Sequence, residues 1–197
     1  MKRLLLFAIF AALGTGVLLH ADMIGRCRGP WLQGALEAMQ KGNGEVARLA
    51  RQHGVVAATD VTGFGLGGHL AALAQRSGVA VEIDLDALPA LPGALELLAL
   101  GLRSTAHAAN AAGRLSLTIE PGLQDDPRLE LLFDPQTSGG LLLGIAPERA
   151  GALLDALHGA GAARATRIGR AREGRASITV GAGTLAARPL GAPTGVS

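Results

Sequence analysis

The sequence predicts a mixed α+β domain, and three observations carry this prediction. Of its 197 residues, 49% are hydrophobic and 17% are charged, which supports one sizeable core and excludes a disordered chain. Segments whose apolar residues recur at helical spacing interleave with segments in which apolar and polar residues alternate. No repeat of fixed period divides the chain.

The same two periodicities predict the individual elements in chain order. Helices are predicted as two short ones within 31–53 and then at 66–76, 93–100 and 147–158. Strands are predicted at 55–58, 79–86, 115–119 and 141–146, around Ile168 and at 176–180. From Gly181 onward Gly, Ala, Pro and Arg prevail without periodicity, which predicts a flexible tail.

Composition narrows the function classes. Aromatic residues make up only 3% of the chain, too few for the stacking platforms of single-stranded nucleic-acid binders. The isoelectric point is 9.3, but residues 161–197 hold six Arg and one Glu, so the basic character belongs to the C-terminal end rather than to a binding face. One cysteine, Cys27, allows no internal disulfide and no cysteine metal cluster, which favours a reducing compartment.

The N-terminal segment has the pattern of a secretory signal. Lys2 and Arg3 precede an apolar run over 4–19, although Gly14-Thr15-Gly16 interrupts it. The run is too short for a membrane-spanning helix, which needs about 20 apolar residues. The pattern therefore predicts no membrane span and leaves a signal peptide as the minority alternative.

The most informative stretch begins with an apolar segment at 55–58 that leads to Asp60. A glycine-rich turn over 63–68 follows, and then a helix. Glycines let the backbone approach a ligand closely, and free N–H groups at a helix start attract anions. A carboxylate beside an anion site is typical of Mg²⁺, which takes one or two carboxylates together with substrate phosphates. The alternative is a tight turn in which Asp60 only caps the helix.

The same glycines also satisfy G-x-G-x-x-G, with Glu82 and Asp84 about twenty residues further on, as a dinucleotide-binding fingerprint requires. Two features argue against this interpretation. Residues 59–62 separate the strand from the first glycine, and Asp60 would place a negative charge beside a pyrophosphate.

A second polar cluster spans 132–142 and reads Leu-Phe-Asp-Pro-Gln-Thr-Ser-Gly-Gly-Leu-Leu. Asp134-Pro135 starts a turn, a carboxamide and two hydroxyls follow, and a glycine pair leads into a strand. These groups could line a pocket, or they could satisfy their own backbone. The sequence leaves both interpretations open.

The two motifs together resemble selenophosphate synthetase (selenide, water dikinase). The segments 59–70 and 132–142 carry the resemblance, which extends to 13–18, Ile83-Asp84, Asn110 and 168–170. The resemblance covers approximately residues 13–180, with the motifs in the same order as in the family. The part of the family that this chain resembles is the C-terminal half, which is a C-terminal domain of the aminoimidazole ribonucleotide synthetase superfamily. The implied fold is α+β with a mixed β-sheet and packed helices.

The resemblance also implies an activity. Members of the family make selenophosphate from selenide, ATP and water, and selenophosphate is used for selenocysteine and selenouridine synthesis. They work as homodimers in which each chain has an N-terminal and a C-terminal half. Asp60 matches the one aspartate that this half supplies to the magnesium site, and Thr62, Gly63 and Gly65 are the candidates near the ATP phosphates. The catalytic Cys (or selenocysteine) and Lys belong to the N-terminal half, so no catalytic residue is expected in this chain.

The start of the chain departs from the family pattern. Ala11-Ala12 stands where the family has Lys-Pro, so the expected division is an unmatched apolar segment at 1–12, the domain at 13–182 and a flexible tail at 183–197. Residues 14–18 would form a strand, which a signal cleavage would remove, so a cytoplasmic location is favoured. The chain alone is expected to be inactive without an N-terminal catalytic half in cis or in trans. The alternative is a non-catalytic remnant or partner-binding module.

Overall fold

A seven-stranded mixed sheet forms the centre of the protein. The computed structural model describes residues 5–10, 13–112 and 117–185. The strands are β1 (Leu5–Phe10), β2 (Ala57–Asp60), β3 (Val79–Asp84), β4 (Leu117–Ile119), β5 (Leu141–Ile145), β6 (Thr166–Glu173) and β7 (Ser177–Gly181). Their order is β2-β5-β1-β6-β3-β7-β4, antiparallel from β2 to β3 and parallel from β3 to β4. The predicted α+β fold with a mixed sheet is confirmed.

Eight α-helices lie in the described ranges, with a 3-10 turn at Leu85–Ala87. They are α1 (Thr15–Met23), α2 (Gly29–Met39), α3 (Gly44–Gln52), α4 (Gly65–Ser77), α5 (Ala94–Ala99), α6 (His107–Ala111), α7 (Pro127–Glu130) and α8 (Pro147–Gly159). The helices predicted from periodicity correspond to α2 to α5 and α8. The predicted strand at 55–58 lies two residues further on, as β2.

Two hydrophobic clusters cover opposite faces of the sheet. The larger one contains buried residues of α1, α4 and α5 together with Leu142, and the smaller one joins α3 and α8 to Leu143 and Ile145. Because successive strand residues point to opposite faces, β5 contributes to both clusters. The sheet is therefore a middle layer, and the long apolar run of β5 follows from burial on both sides.

The N-terminal segment is part of the sheet. The sequence pattern set residues 1–12 apart from the domain, but the backbone of Leu5–Phe10 pairs with β5 on one side and with β6 on the other. The apolar segment Leu5–Phe10 thus has a structural explanation as a central strand. Residues 1–4, 11 and 12 lie outside the described residues.

The strand expected at residues 14–18 is instead the start of helix α1, so that prediction is wrong. Gly14 has φ of 114°, a left-handed conformation open to glycine, and it turns the chain into the helix. The first N–H groups of α1 donate to side chains of the 134–136 segment instead of to a neighbouring strand. Side chains that lie far away in sequence therefore decide this element.

The start of the expected tail is held in place. Asp84 is buried, and its carboxylate accepts hydrogen bonds from the N–H groups of Gly183 (3.0 Å) and Leu185 (2.8 Å). Glu82 accepts a hydrogen bond from Arg170 at 2.6 Å. Both acidic residues of the dinucleotide fingerprint are thus engaged by the chain itself, in a sheet that is not all-parallel. Residues 186–197 lie outside the described residues.

Among the described residues, no helix combines the length and the apolar character that a membrane crossing requires.

Candidate functional site

Asp60 is the last residue of β2, which is an edge strand paired with β5 alone. Its side chain is exposed, and its carboxylate accepts no hydrogen bond from the described residues. The residue before α4 is Phe64, and no side chain caps that helix. The capping interpretation of Asp60 therefore has no contact to support it, and the carboxylate is open to a ligand.

His69 holds the loop between Asp60 and α4. The N–H of Thr62 donates to the Nε2 atom of His69 at 3.0 Å, and the Thr62 hydroxyl lies 3.2 Å from the same nitrogen. Nε2 must therefore be unprotonated. Burial lowers the pKa of His69 and favours this neutral form, while the nearby charge of Asp60 acts in the opposite direction.

Sequence reasoning assigns no role to His69, because the five histidines show no metal-binding spacing. The signal that links His69 to Thr62 is their separation of seven residues. That separation spans the glycine turn and one turn of the following helix, and it brings the ring back over the loop.

The three candidate phosphate contacts have different surroundings. Thr62 is half-buried, and its carbonyl accepts hydrogen bonds from the N–H groups of Gln136 and Gly65. Gly63 faces open space at its Cβ position. Gly65 has φ of 68° and lies so close to Leu132 that a Cβ would approach the carbonyl oxygen to 2.7 Å. Gly65 is thus required for packing, and Gly63 is the glycine that a ligand can approach.

Helix α4 uses part of its N-terminal donor set internally. The N–H of Gly67 donates to the carbonyl of Leu132 at 2.7 Å, and Asn110 Nδ2 bridges the carbonyls of Gly63 (2.8 Å) and Phe133 (3.0 Å). These bonds hold the glycine turn against the second motif. The Gly67 bond also removes one N–H group that could otherwise face a phosphate.

The described residues supply one carboxylate, not a complete metal centre. They contain no group of three or more His, Cys, Asp or Glu side chains able to hold a metal ion. An exposed carboxylate beside the open Gly63 fits Mg²⁺ only as one ligand among several, because the ion takes its remaining ligands from water, phosphates or other carboxylates.

The second motif is mainly buried and structural. Gln136 Oε1 accepts hydrogen bonds from the N–H groups of Gly14 (3.2 Å) and Thr15 (3.3 Å) and from the Thr15 hydroxyl (3.1 Å). Asp134 Oδ2 accepts from Gly16 N–H and from Gln136 Nε2, both at 3.1 Å. The two side chains thereby satisfy the N-terminus of α1.

Asp134 is fully buried, and burial raises the pKa of its carboxyl group to about 7. The hydrogen bonds from Gln136 and Gly16 act in the opposite direction, and so does the nearby His107, but burial is the larger effect. Asp134 Oδ1 has no hydrogen-bond partner among the described residues.

Cys27 shows no features of a nucleophile. Its side chain is half-buried, and burial raises the pKa of the thiol, with a smaller contribution from the charge of Asp22. A thiol with a raised pKa holds little reactive thiolate at neutral pH.

Comparison with known families identifies the domain. Residues 3–181 match the family described as AIR synthase related protein, C-terminal domain. The chain belongs to this family. The match begins upstream of Leu13, in agreement with the position of β1 inside the sheet.

Curated relatives of this AIR synthase-related domain are named selenide, water dikinase. The one from Caldanaerobacter subterraneus subsp. tengcongensis is 37% identical over 164 residues, which are 82% of this chain and 46% of that protein. The one from Escherichia coli O157:H7 is 44% identical over 139 residues, which are 69% of this chain and 38% of that protein. The chain thus spans less than half the length of these relatives.

Solved structures agree on the fold. Hydrogenase maturation protein HypE superposes with a TM-score of 0.63 at 18% identity, over 89% of this chain and 49% of that one. Thiamine monophosphate kinase from Aquifex aeolicus has a TM-score of 0.54 at 22% identity, over 91% of this chain and 49% of that one.

Proposed function

We propose that this chain provides the C-terminal half of an ATP-dependent selenide, water dikinase and that Asp60 is its Mg²⁺ ligand. The observation that carries the proposal is the exposed carboxylate of Asp60, which accepts no hydrogen bond from the described chain and stands beside the open Gly63. Relatives 37–45% identical to this chain and named selenide, water dikinase point to the reaction class.

The chain's own residues would act by positioning. Mg²⁺ held between carboxylates and phosphate oxygens neutralises charge that develops during phosphoryl transfer. Asp60 would hold the ion from the end of β2, His69 would keep Thr62 in place, and Gly63 would let phosphate approach the backbone. Nucleotide use is supported by the solved complexes of HypE with ATP and of ThiL with AMPPCP and TMP.

The remaining machinery would come from an N-terminal catalytic half, in cis or in trans, within a homodimer in the cytoplasm. The described residues offer one candidate magnesium carboxylate, and the thiol of Cys27 has a raised pKa. One carboxylate cannot hold a triphosphate in line for transfer. The 197-residue chain alone is therefore expected to be inactive.

The test is to fuse the N-terminal half of the Caldanaerobacter relative to residue 1 of this chain. Selenide-dependent AMP formation is measured for the fusion, for the chain alone and for the N-terminal half alone, with light scattering to determine the oligomeric state. We expect activity from the fusion only. Robust activity of the chain alone would contradict the division of labour.

A folded fusion that binds ATP but consumes no selenide would instead favour the second candidate, a non-catalytic partner-binding module. The large apolar side chain of Phe64, which is 72% exposed beside Asp60, is the observation that favours that candidate.

A further inference from the structure

A cavity of about 180 Å³ contains no residue of the Asp60 loop in its lining, although its 138–140 wall packs against Val61, and it has no role in the proposed reaction. It is formed by the end of α2, the α2–α3 connection, the 138–140 segment and the α8–β6 connection. Buried Thr15, Leu91 and Ala162 line it, while Lys41 and Arg164 are exposed residues of its wall.

Neither cation of the cavity wall has an ion-pair partner among the described residues. Glu37 precedes Lys41 by four positions, a spacing at which ion pairs are common within a helix, but Lys41 lies beyond the end of α2 and Glu37 Oε1 accepts a hydrogen bond from Gln33 at 3.0 Å. Arg164 donates one hydrogen bond from Nη1, to the carbonyl of Ala90 at 3.3 Å. Its remaining guanidinium donors are available to a ligand.

The 138–140 segment lines the same cavity and contains backbone N–H groups without a partner among the described residues. Within the described part of the chain, the N–H groups of Ser138, Gly139 and Gly140 donate no hydrogen bond. Ser138 has φ of 51°, a left-handed conformation that a non-glycine residue rarely adopts. Successive N–H groups in such a turn form an anion-binding concavity.

The neighbouring residues hold this segment in one position. Asn43 Nδ2 donates to the carbonyl of Gly139 at 3.0 Å, and the carbonyl of Gly140 accepts from Val61 N–H at 2.9 Å. A Cβ at Gly139 would collide with the carbonyl oxygen of Val61, so the glycine allows the close approach. The backbone donors are thus fixed without a ligand, as a preorganised site requires.

We propose that this cavity binds a small oxyanion of the phosphate class, through Lys41, Arg164 and the N–H groups of Ser138, Gly139 and Gly140. The two cations outnumber the one carboxylate in the lining, that of Glu37, and together with the unpaired N–H groups they match a tetrahedral oxyanion. The volume lies below the roughly 300–1,000 Å³ of sites for drug-sized ligands, so the ligand is orthophosphate or the phosphate end of a short molecule.

Oxyanion binding to this cavity is tested by isothermal titration calorimetry of the full chain at constant ionic strength, with chloride as the balancing anion. Orthophosphate, glycerol 3-phosphate and glycerol are titrated into wild type and into the Lys41→Gln/Arg164→Gln double variant. The matched control is Arg51→Gln/Arg76→Gln, which removes the same charge from exposed residues that do not line the cavity. Thermal melts verify that the variants fold.

We expect saturable binding of both phosphates to wild type and control, at least tenfold weaker binding to the double variant, and none of glycerol. Tighter binding of glycerol 3-phosphate than of orthophosphate would identify an organic phosphate as the ligand, and equal or weaker binding would identify the free ion. The site is disproved if wild type does not bind, if the double variant binds equally well, or if the control loses binding to the same extent. Neither selenide nor ATP is present, so the result is independent of the proposed reaction.

Discussion

The two glycine-rich motifs of this chain contain similar residues in opposite environments. Asp60 ends an edge strand with an exposed carboxylate, whereas Asp134 is fully buried and receives hydrogen bonds from Gly16 and Gln136. Burial therefore decides what each carboxylate does. The first is available to an ion, and the second holds the start of a helix.

The contrast continues within the second motif. Its first residues bind the N-terminus of α1, while Ser138, Gly139 and Gly140 line the cavity. The sequence left open whether these polar groups line a pocket or satisfy their own backbone; the first half of the motif instead satisfies the backbone of α1, and the second half lines the cavity. Local patterns name the residue types, but tertiary contacts assign their roles.

The largest effect is expected for Asp60→Asn in the active fusion. An amide is a weaker Mg²⁺ ligand than a carboxylate, so selenide-dependent AMP formation should fall. Changing a residue that merely supports a metal ligand typically lowers activity roughly 10–100-fold, and we expect a loss at least that large here. Because the side chain is exposed, the melting temperature should not change. Unchanged turnover would contradict the assignment of Asp60 as a metal ligand.

A pH dependence of stability is expected from Asp134. Its folded pKa of about 7 lies above the ordinary value of 3.8, so the folded state binds this proton more tightly than the unfolded state does. Stability should therefore fall as the pH rises from about 4 to about 7, by roughly 4 kcal/mol at about 1.4 kcal/mol per unit. Urea unfolding of wild type and Asp134→Asn measures the difference.

The lowered pKa of His69 adds stability with rising pH in both proteins, so its contribution cancels in that difference. Parallel stability profiles for wild type and Asp134→Asn would show that the buried carboxyl titrates as it does in the unfolded chain.

A loss of about 3 kcal/mol is expected for Gln136→Leu. Three donors at the start of α1 would lose their acceptor, and each buried unsatisfied group costs about 1–3 kcal/mol. The control is Gln33→Leu on an exposed face of α2, which should change the stability by less than about 0.5 kcal/mol. Equal stabilities of the two variants would disprove the proposed anchoring of α1.

The smallest effect is expected for Phe64→Ala in the isolated chain. Phe64 is 72% exposed, so its removal should change the free energy of unfolding by less than about 0.5 kcal/mol. Phe133 is the contrasting case because it is 2% exposed, and Phe133→Ala should lower the free energy of unfolding by about 3–5 kcal/mol. A large loss at Phe64 would mean that its exposed ring stabilises the loop.

Local sequence patterns predicted the parts of this fold whose stabilising contacts are also local. Strand β3 alternates apolar residues toward one face, and α4 ends at Gly78 with a left-handed φ of 62°. Asp60 could be selected as a candidate because the motif around it is continuous in sequence. The cavity could not, because separate segments of the chain form it.

Helix α1 could not be predicted for a related reason. Its capping partners Asp134 and Gln136 lie more than a hundred residues further along the chain, and the apolar residues after Gly16 equally suit a strand. Strand β1 could not be predicted either, because its apolar sequence is equally typical of a signal segment and of a central strand.

The central position of β1 has a consequence for biosynthesis. Leu6 pairs with Ile145 on one side and with Arg170 on the other, and β1 alone joins the β2-β5 pair to the remaining four strands. Within this domain, β1 is therefore translated more than a hundred residues before either of its partner strands. Because pairing between segments so far apart in sequence carries a large loop-closure cost, we expect the closing of the sheet around β1 to be a late and slow folding step.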